Sequence, residues 1–329
     1  QTGCAAYANL AGAPRTVRPV IWPALHSRPA GGLRVNTPAQ TTSATALVAE
    51  LERIVGAARI LTADEDRQFF SQDIAGPRAH VAACVVQPQS VAELAAVVAA
   101  AAAAGHAVVP RGGGSSYTGG YVPPVEACVM IDTRGLAQVV EVNTADMYVT
   151  VEVGCTWQAL LAALEPHGVR TPFWGPLSGA TATVGGSLSQ NAILWGSARY
   201  GVSAESVLAL EVVLADGSVL RTGAAAGTHA RPFFRYYGPD LTGLFLGDTG
   251  ALGIKARATL RLIRRPEWVE TASFGFGTHE QMAGAMTAIA REGLVSECFA
   301  MDPVLTAQRM KRAGLAQDLK AVKGVITSA

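Results

Sequence analysis

The sequence predicts an α+β protein with two lobes and the beginning of a further α+β unit. Three observations indicate this class. A helix that starts at the capping box Ser90-Val-Ala-Glu93 leads into a short apolar strand, Ala107-Val-Val-Pro110. The run Tyr148-Val-Thr-Val-Glu-Val153 alternates, which is typical of a strand with Val149, Val151 and Val153 on its buried face. Farther on, Ala215-Asp-Gly217 joins two apolar runs and predicts a hairpin.

The first 40 residues are rich in Pro, Arg, Thr and Gly and have no periodic apolar pattern. They begin with Gln, and no apolar segment follows a basic one as it would in a secretory signal peptide. We therefore expect residues 1–40 to be a disordered tail or a mis-extended start. The first regular element expected is a helix from Leu47 to Ile60, with apolar residues on one face.

The segment Arg111–Gly120 follows the strand at 107–110 and contains five glycines in ten positions. Glycine accepts positive φ angles and lets a ligand approach the main chain without meeting a Cβ. Successive N–H groups turned inward form a nest that suits a phosphate or pyrophosphate. The pattern predicts a nucleotide-binding loop, although a glycine-rich surface loop without a ligand would explain it equally well if it stood alone.

Two common nucleotide-binding motifs do not fit this loop. A P-loop ends in a Lys that contacts the phosphates, and the chain has no Lys before Lys255. A Rossmann turn opens a helix, and Gly112 and Gly114 match its first two glycines. Tyr117 occupies the third glycine position, however, and the prolines in Gly119–Pro124 stop a helix.

Two more glycine clusters follow the first, at Ser178–Ala192 and at Leu246–Ile254. A helix expected from Trp157 to His167 precedes them and ends at Gly168, as a C′ glycine should. The predicted hairpin lies between the second and third clusters. The first glycine loop therefore does not stand alone in the sequence.

With these three clusters in this order and spacing, the chain resembles the FAD-binding oxidoreductases of the vanillyl-alcohol oxidase/PCMH superfamily. The D-lactate dehydrogenase and glycolate oxidase (FAD subunit) branch is the most similar, from about Leu47 to Leu262. The resemblance implies a two-lobed PCMH-type FAD-binding domain at 41–265, with lobes at about 47–133 and 134–265. An incomplete FAD-linked oxidase C-terminal or cap domain would follow at 266–329.

The resemblance also implies which residues bind FAD. The first loop would grip the diphosphate with its backbone N–H groups. The second segment would lie along the ribityl chain and the isoalloxazine ring, and the backbone of the third would meet the flavin and nucleotide. The implied residues are Pro110, Arg111, Gly112, Gly113, Gly114, Ser115, Ser116, Gly119, Pro176, Thr183, Gly185, Gly186, Ser189, Asn191, Gly253 and Ile254.

Non-covalent FAD is expected. Ser115 stands where relatives with covalent FAD usually carry a His, and Cys155 is interpreted as a small buried residue. The sequence departs from close relatives at Gly247-Asp-Thr-Gly250, where a Ser-Glu pair usually stands between the glycines. Asp248 keeps the charge on a shorter side chain.

After Pro266, a strand at 269–276, a helix at 280–291 and a strand at 297–301 are expected to open the cap domain. Family members are usually longer, and a late His-x-His-x-Gly-Asp-Gly-Asn motif supplies their proton-abstracting and carboxylate-binding groups. These residues contain no such motif. We therefore expect a truncated chain, inactive alone, rather than a short subunit, and the catalytic residues stay unassigned.

The implied function is dehydrogenation of a 2-hydroxy acid of the D-lactate or glycolate type, by hydride transfer to flavin N5. An electron acceptor such as a quinone, a cytochrome or an electron-transfer flavoprotein would be a partner. Alditol oxidation, ether-lipid synthesis and UDP-sugar enoyl reduction remain alternatives on this fold. A non-catalytic FAD-binding subunit of a glycolate-oxidase-type complex is an alternative from another class.

The amino-acid composition narrows the classes of protein to which the chain can belong. Hydrophobic residues make up 50% and charged residues 16% of the 329, so a large core is expected. A net charge of +1 predicts no attraction to nucleic acid. Five scattered Cys without a Cys-x-x-Cys favour reduced thiols and a cytoplasmic protein, with peripheral binding at the inner face of a membrane left open. Six widely spaced His predict no metal site.

Overall fold

A computed structural model of the chain describes residues 42–76, 79–236, 238–302 and 304. All of these residues belong to one compact unit within 40–329. The expected tail at 1–40 lies outside the described residues.

The helices are α1 Ala44–Val55, α2 Asp64–Phe70, α3 Val91–Ala103, α4 Trp157–Leu164, α5 Val184–Ser189, α6 Ser197–Tyr200, α7 Leu241–Leu244 and α8 His279–Glu292. The strands are β1 Ile60–Leu61, β2 Cys84–Val86, β3 Ala107–Arg111, β4 Cys128–Asp132, β5 Val139–Asn143, β6 Tyr148–Glu152, β7 Val169–Arg170, β8 Val207–Val213, β9 Val219–Arg221, β10 Ile254–Arg261 and β11 Ile263–Arg264. This mixture confirms the predicted α+β class. None of the described helices has the length and apolar character needed to cross a bilayer.

The first sheet has the strand order β1-β2-β4-β3. Strands β2, β4 and β3 are parallel, and β1 pairs with β2 in the antiparallel sense. All five residues of β4 are buried, because helices cover both faces of the sheet. Val129 and Ile131 pack with residues of α1 and α3, whereas Cys128 and Met130 pack with Phe70 of α2.

The prediction of a helix at 47–60 is wrong at the C-terminal end. The observed helix α1 begins at Ala44, capped by the Ser43 side chain, and ends at Val55. Gly56 follows with a φ of 86°, which a helix cannot continue through. Ile60 instead belongs to β1, where it pairs with Val86. A β-branched side chain suits that strand position.

The second sheet is antiparallel, with the order β5-β6-β10-β8-β9. Val149, Val151 and Val153 are buried as predicted, but Tyr148 and Glu152 of β6 are buried as well. The predicted hairpin is confirmed as β8 and β9. Helix α4 continues as a 3₁₀ turn to residue 167, and Gly168 ends it with a φ of 65°. The short strands β7 and β11 pair separately.

The expected β-α-β unit after Pro266 is only partly correct. Helix α8 confirms the predicted helix, but the described residues at 269–276 and 297–301 form no strands. A strand needs a neighbouring strand for its hydrogen bonds, and no strand of the described residues lies beside either segment. The side chains of Val269 and Phe274 are 78% and 71% exposed, and α8 buries no residue.

Candidate cofactor-binding site

The first and second glycine segments touch each other. A Cβ on Gly112 would lie 2.2 Å from Oγ1 of Thr183, and one on Gly113 would lie 1.8 Å from the carbonyl oxygen of Thr181. The hydroxyl oxygens of Ser115 and Thr181 are 3.0 Å apart. Only glycine leaves room for this approach, so the two segments form one structure although about 70 residues separate them along the chain.

The third segment joins the other two. The N–H of Thr249 donates to the carbonyl oxygen of Ser189 at the end of α5 (2.9 Å). A Cβ on Gly250 would lie 2.7 Å from Cγ of Pro110, immediately before the first loop. All three clusters found in the sequence therefore meet at one place.

The first loop presents five consecutive backbone N–H groups that donate to no acceptor in the described part of the chain, from Gly112 to Ser116. These residues are only partly accessible to water. Gly114 lies in the middle of this segment and has a left-handed φ of 65°. Because these residues are not fully buried, their N–H groups are available to water or to a ligand. Five unpaired ones in a row form a nest for an anion, and a diphosphate matches it.

Arg111 lies behind this nest. Its guanidinium carbon is 5.2, 4.9 and 5.5 Å from the ring centroids of Phe69, Phe70 and Tyr121. Burial lowers the pKa of Arg111, but a guanidinium stays protonated at neutral pH. A Cβ on Gly114 would lie 2.4 Å from Nη2 of Arg111, so the charge is directly below the loop. This position favours an anion in the nest.

Polar contacts hold the rim of the loop. The N–H of Gly119 donates to Oδ2 of Asp73 (2.8 Å), and the Thr118 hydroxyl donates to Oε1 of Gln190 (3.0 Å). The sequence does not indicate a role for Asp73, Gln190 or Thr181. Gln190 and Thr181 lie within the second cluster, but they carry no motif of their own. No local pattern marks Asp73, which reaches the loop across 46 residues.

The second segment is built around the N-terminus of α5. The Thr183 hydroxyl caps this helix by accepting the N–H of Gly186 (3.2 Å). Gly185 packs on Val153, the residue after β6, because a Cβ there would lie 2.6 Å from Cβ of Val153. Gly186 faces more open space, since only the Thr183 hydroxyl would approach its Cβ. One side of α5 is thus fixed to the sheet, and the other is accessible.

The remaining residues that were expected to bind FAD lie in different surroundings. Ser189 and Asn191 continue the accessible side of α5, and Asn191 has a left-handed φ of 49°. Gly253 packs against β8, and the Ile254 side chain is buried in the core, which leaves only backbone for a ligand. The carbonyl of Pro176 accepts the N–H of Gly179 (3.0 Å). No described hydrogen bond links Pro176, Gly253 or Ile254 to the first loop.

Cys155 is 1% exposed, and burial raises the pKa of its thiol to about 11. A neutral, covered thiol is a poor nucleophile for attachment to a flavin. Among the described residues, no group of three or more His, Cys, Asp or Glu side chains is placed to hold a metal ion.

A protein-family model for an FAD-binding domain matches residues 82–223, which include the first two glycine segments. The chain is 34% identical over 258 residues to a probable mitochondrial D-lactate dehydrogenase of Danio rerio, covering 76% of this chain and 50% of that protein. It is 27% identical over 222 residues to the glycolate oxidase subunit GlcD of Bacillus subtilis strain 168, covering 68% and 46%. The chain thus spans about half the length of the curated relatives it matches.

Solved structures share the fold. Alkyldihydroxyacetonephosphate synthase superposes with a TM-score of 0.66 at 22% identity, over 79% of this chain and 48% of that one. p-Cresol methylhydroxylase with bound substrate gives a TM-score of 0.63 at 19% identity, over 74% and 48%. These identities are too low to indicate more than architecture. The solved structures show that the chain has the fold of the vanillyl-alcohol oxidase/PCMH superfamily. The family match and the relatives show that it belongs to the FAD-binding oxidoreductases, with FAD as its cofactor.

Proposed function

We propose that this protein dehydrogenates a 2-hydroxy acid of the D-lactate or glycolate type, with FAD as the hydride acceptor. The observation that carries the proposal is the row of five unpaired N–H groups at 112–116, packed against the capped end of α5. The substrate class comes from two relatives, a probable D-lactate dehydrogenase and a glycolate oxidase subunit.

In this proposal the chain's own residues bind and orient the cofactor. The N–H groups at 112–116 bind the diphosphate, and Arg111 supplies positive charge beneath them. The accessible side of α5, with Gly186, Ser189 and Asn191, lies along the flavin. FAD supplies the redox chemistry, and the protein fixes the reactive ring against the substrate. FAD is held without a covalent bond, because Ser115 and the buried Cys155 offer no reactive nucleophile.

We further propose that the electrons leave through a separate acceptor, a quinone, a cytochrome or an electron-transfer flavoprotein. A cytochrome is the first to test, because the name of an Arabidopsis thaliana relative specifies one. The cytoplasmic location stays a prediction, since that relative and the Danio rerio one are named as mitochondrial proteins.

Anaerobic reduction of the bound flavin tests the substrate class. The full-length protein, loaded with FAD, is mixed separately with D-lactate, L-lactate, glycolate and an alditol, and the visible absorption of the flavin is followed. We expect D-lactate or glycolate to bleach the flavin and the alditol to leave it oxidised. Bleaching by the alditol alone, or by none of the four, would reject the 2-hydroxy acid as substrate while leaving the FAD site intact.

A further inference from the structure

A buried ion pair stands at the base of the third glycine segment. Nζ of Lys255 is 2.6 Å from Oδ1 of Asp248, and the two side chains are only 2% and 3% exposed. Lys255 is the second residue of β10, so its backbone is fixed in the second sheet. Burial lowers the pKa of Lys255, which Asp248 partly opposes. The pair therefore ties Asp248, in the loop, to a rigid strand.

Asp248 also closes a turn in its own segment. The same oxygen, Oδ1, accepts the N–H of Gly250 (3.0 Å). Within this turn Thr249 has a φ of 55° and Gly250 a φ of 84°. A β-branched residue rarely occupies the left-handed region, and such strain persists only where the surroundings impose it. The Asp248 carboxylate is one of the groups that hold this turn, through the N–H of Gly250.

This turn is the part of the third segment that contacts the other two. Thr249 donates its N–H to Ser189 at the end of α5, and Gly250 packs against Pro110 at the start of the first loop. The turn therefore sits between the N–H nest and α5. A change in the conformation of this turn would therefore shift its contact with Ser189 and its contact with Pro110.

Stability does not explain the ion pair. Replacing a buried ion pair with apolar residues of similar volume is often neutral or stabilising. The pair is also incompletely satisfied, because Oδ2 of Asp248 is buried without a hydrogen-bond partner in the described part of the chain. An unpaired buried oxygen is unfavourable for folding. The arrangement has to be explained by the geometry that it imposes.

We propose that Asp248 is a positioning residue of the FAD site, through the hydrogen bond that its carboxylate accepts from Gly250. It fixes the turn at 247–250, which sets the first glycine loop against α5 and thereby sets the affinity for FAD. The inference rests on the proposed FAD site. Neither Asp248 nor Lys255 is among the residues that the sequence implied as FAD ligands.

Two double variants of the full-length protein separate positioning from stability. Both remove the ion pair, but D248N/K255M keeps an oxygen that accepts the N–H of Gly250, whereas D248A/K255M does not. We expect D248N/K255M to bind FAD with a Kd close to that of the parent. The Kd of D248A/K255M should rise up to about tenfold, the loss that corresponds to one hydrogen bond. Both apoproteins should melt near the parent temperature, because neither leaves a buried charge unpaired.

Arg257→Met provides a matched control on the same strand. Arg257 pairs with Glu152 (3.5 Å) and Glu211 (3.4 Å), neither of which belongs to a glycine segment. We expect its loss to alter the melting temperature and leave the Kd for FAD unchanged.

Equal FAD affinity in the two double variants would overturn the proposal, as would a Kd that follows the melting temperature across all variants, including R257M. If D248A/K255M does not fold, D248N/K255M decides, and a tenfold loss of affinity there also overturns it. A parent protein that binds no FAD would instead reject the cofactor site itself.

Discussion

A methyl group on Gly113 would lie 1.8 Å from the carbonyl oxygen of Thr181, a backbone atom that cannot move alone. The requirement for glycine thus has a different origin from the one the sequence suggests. Gly113 does not have a positive φ, whereas Gly114 does. Its hydrogen is needed because two chain segments meet there, before any phosphate is considered.

Gly113→Ala should therefore separate the first loop from the second segment. We expect FAD retention to be lost and unfolding to become easier by about 1–3 kcal/mol, the usual cost of overpacking. Far-UV circular dichroism should change little, because both sheets are elsewhere. Flavin content after gel filtration and thermal melting measure the two effects.

Gly284→Ala is the matched control, since its Cβ would meet nothing within 4 Å on the exposed helix α8. It should stabilise the helix by about 0.5–1 kcal/mol and leave flavin content unchanged. Parent-like flavin content in Gly113→Ala would contradict the close packing of the two segments.

At the scale of elements, local signals predicted local structure well. Ser90 caps α3 by accepting the N–H of Glu93 (3.1 Å), and Gly168 and Gly217 take the positive φ angles that a helix end and a hairpin turn need. The Glu93 carboxylate accepts the N–H of Gln89 rather than that of Ser90, one residue away from a standard capping box.

Predictions failed where structure depends on distant partners. The run 269–276 has a strand-like composition, but no neighbouring strand is described beside it. The same reason explains the partners missed in the site. The glycines are visible in the sequence, whereas the roles of Asp73 and Lys255 follow from contacts that the fold creates. Their residue types alone carry no such information.

The segment after α8 is attached to the loop before α6 by Glu297. The N–H of Gly196 donates to the Glu297 carboxyl group, and the N–H of Ala198 donates to the carbonyl of Ser296 (3.2 Å). Trp195 and Phe299 meet edge to face, with ring centroids 6.1 Å apart. Burial raises the pKa of Glu297 from 4.5 to about 7. This attachment should therefore depend on pH.

The direction in which stability changes with pH follows from proton binding to Glu297. Between about pH 4.5 and pH 7 the folded protein keeps a proton on Glu297 that the unfolded chain has lost, so stability falls as the pH rises through this window. Glu297→Gln keeps an oxygen acceptor for Gly196 and has no proton to lose. Its melting temperature relative to the parent should rise between about pH 5 and about pH 8. Glu292→Gln, at the exposed end of α8, is the control, and an equal difference at both pH values for Glu297→Gln would refute the prediction.

At the scale of the whole described unit, the proposed FAD site joins the two sheets. The first loop leaves β3 of the parallel sheet, α5 packs on Val153 directly after β6 of the antiparallel sheet, and the third segment leads into β10. Strand β10 contributes to the hydrophobic cores of both sheets. Ile254 packs in the core of the first sheet, and Leu260 packs in the core of the second. A ligand held by all three segments should therefore stabilise both lobes together.

FAD removal tests this coupling. The folded protein should be yellow, and acid or heat precipitation should release FAD into the supernatant, because neither Ser115 nor the buried Cys155 offers a reactive nucleophile for covalent attachment. The apoprotein should melt in one transition at a lower temperature. Added FAD at about 100 times its Kd should restore about 2.7 kcal/mol of stability to that single transition. Flavin that stays with the precipitate would contradict non-covalent binding, and two transitions of which FAD shifts only one would show that the lobes unfold independently.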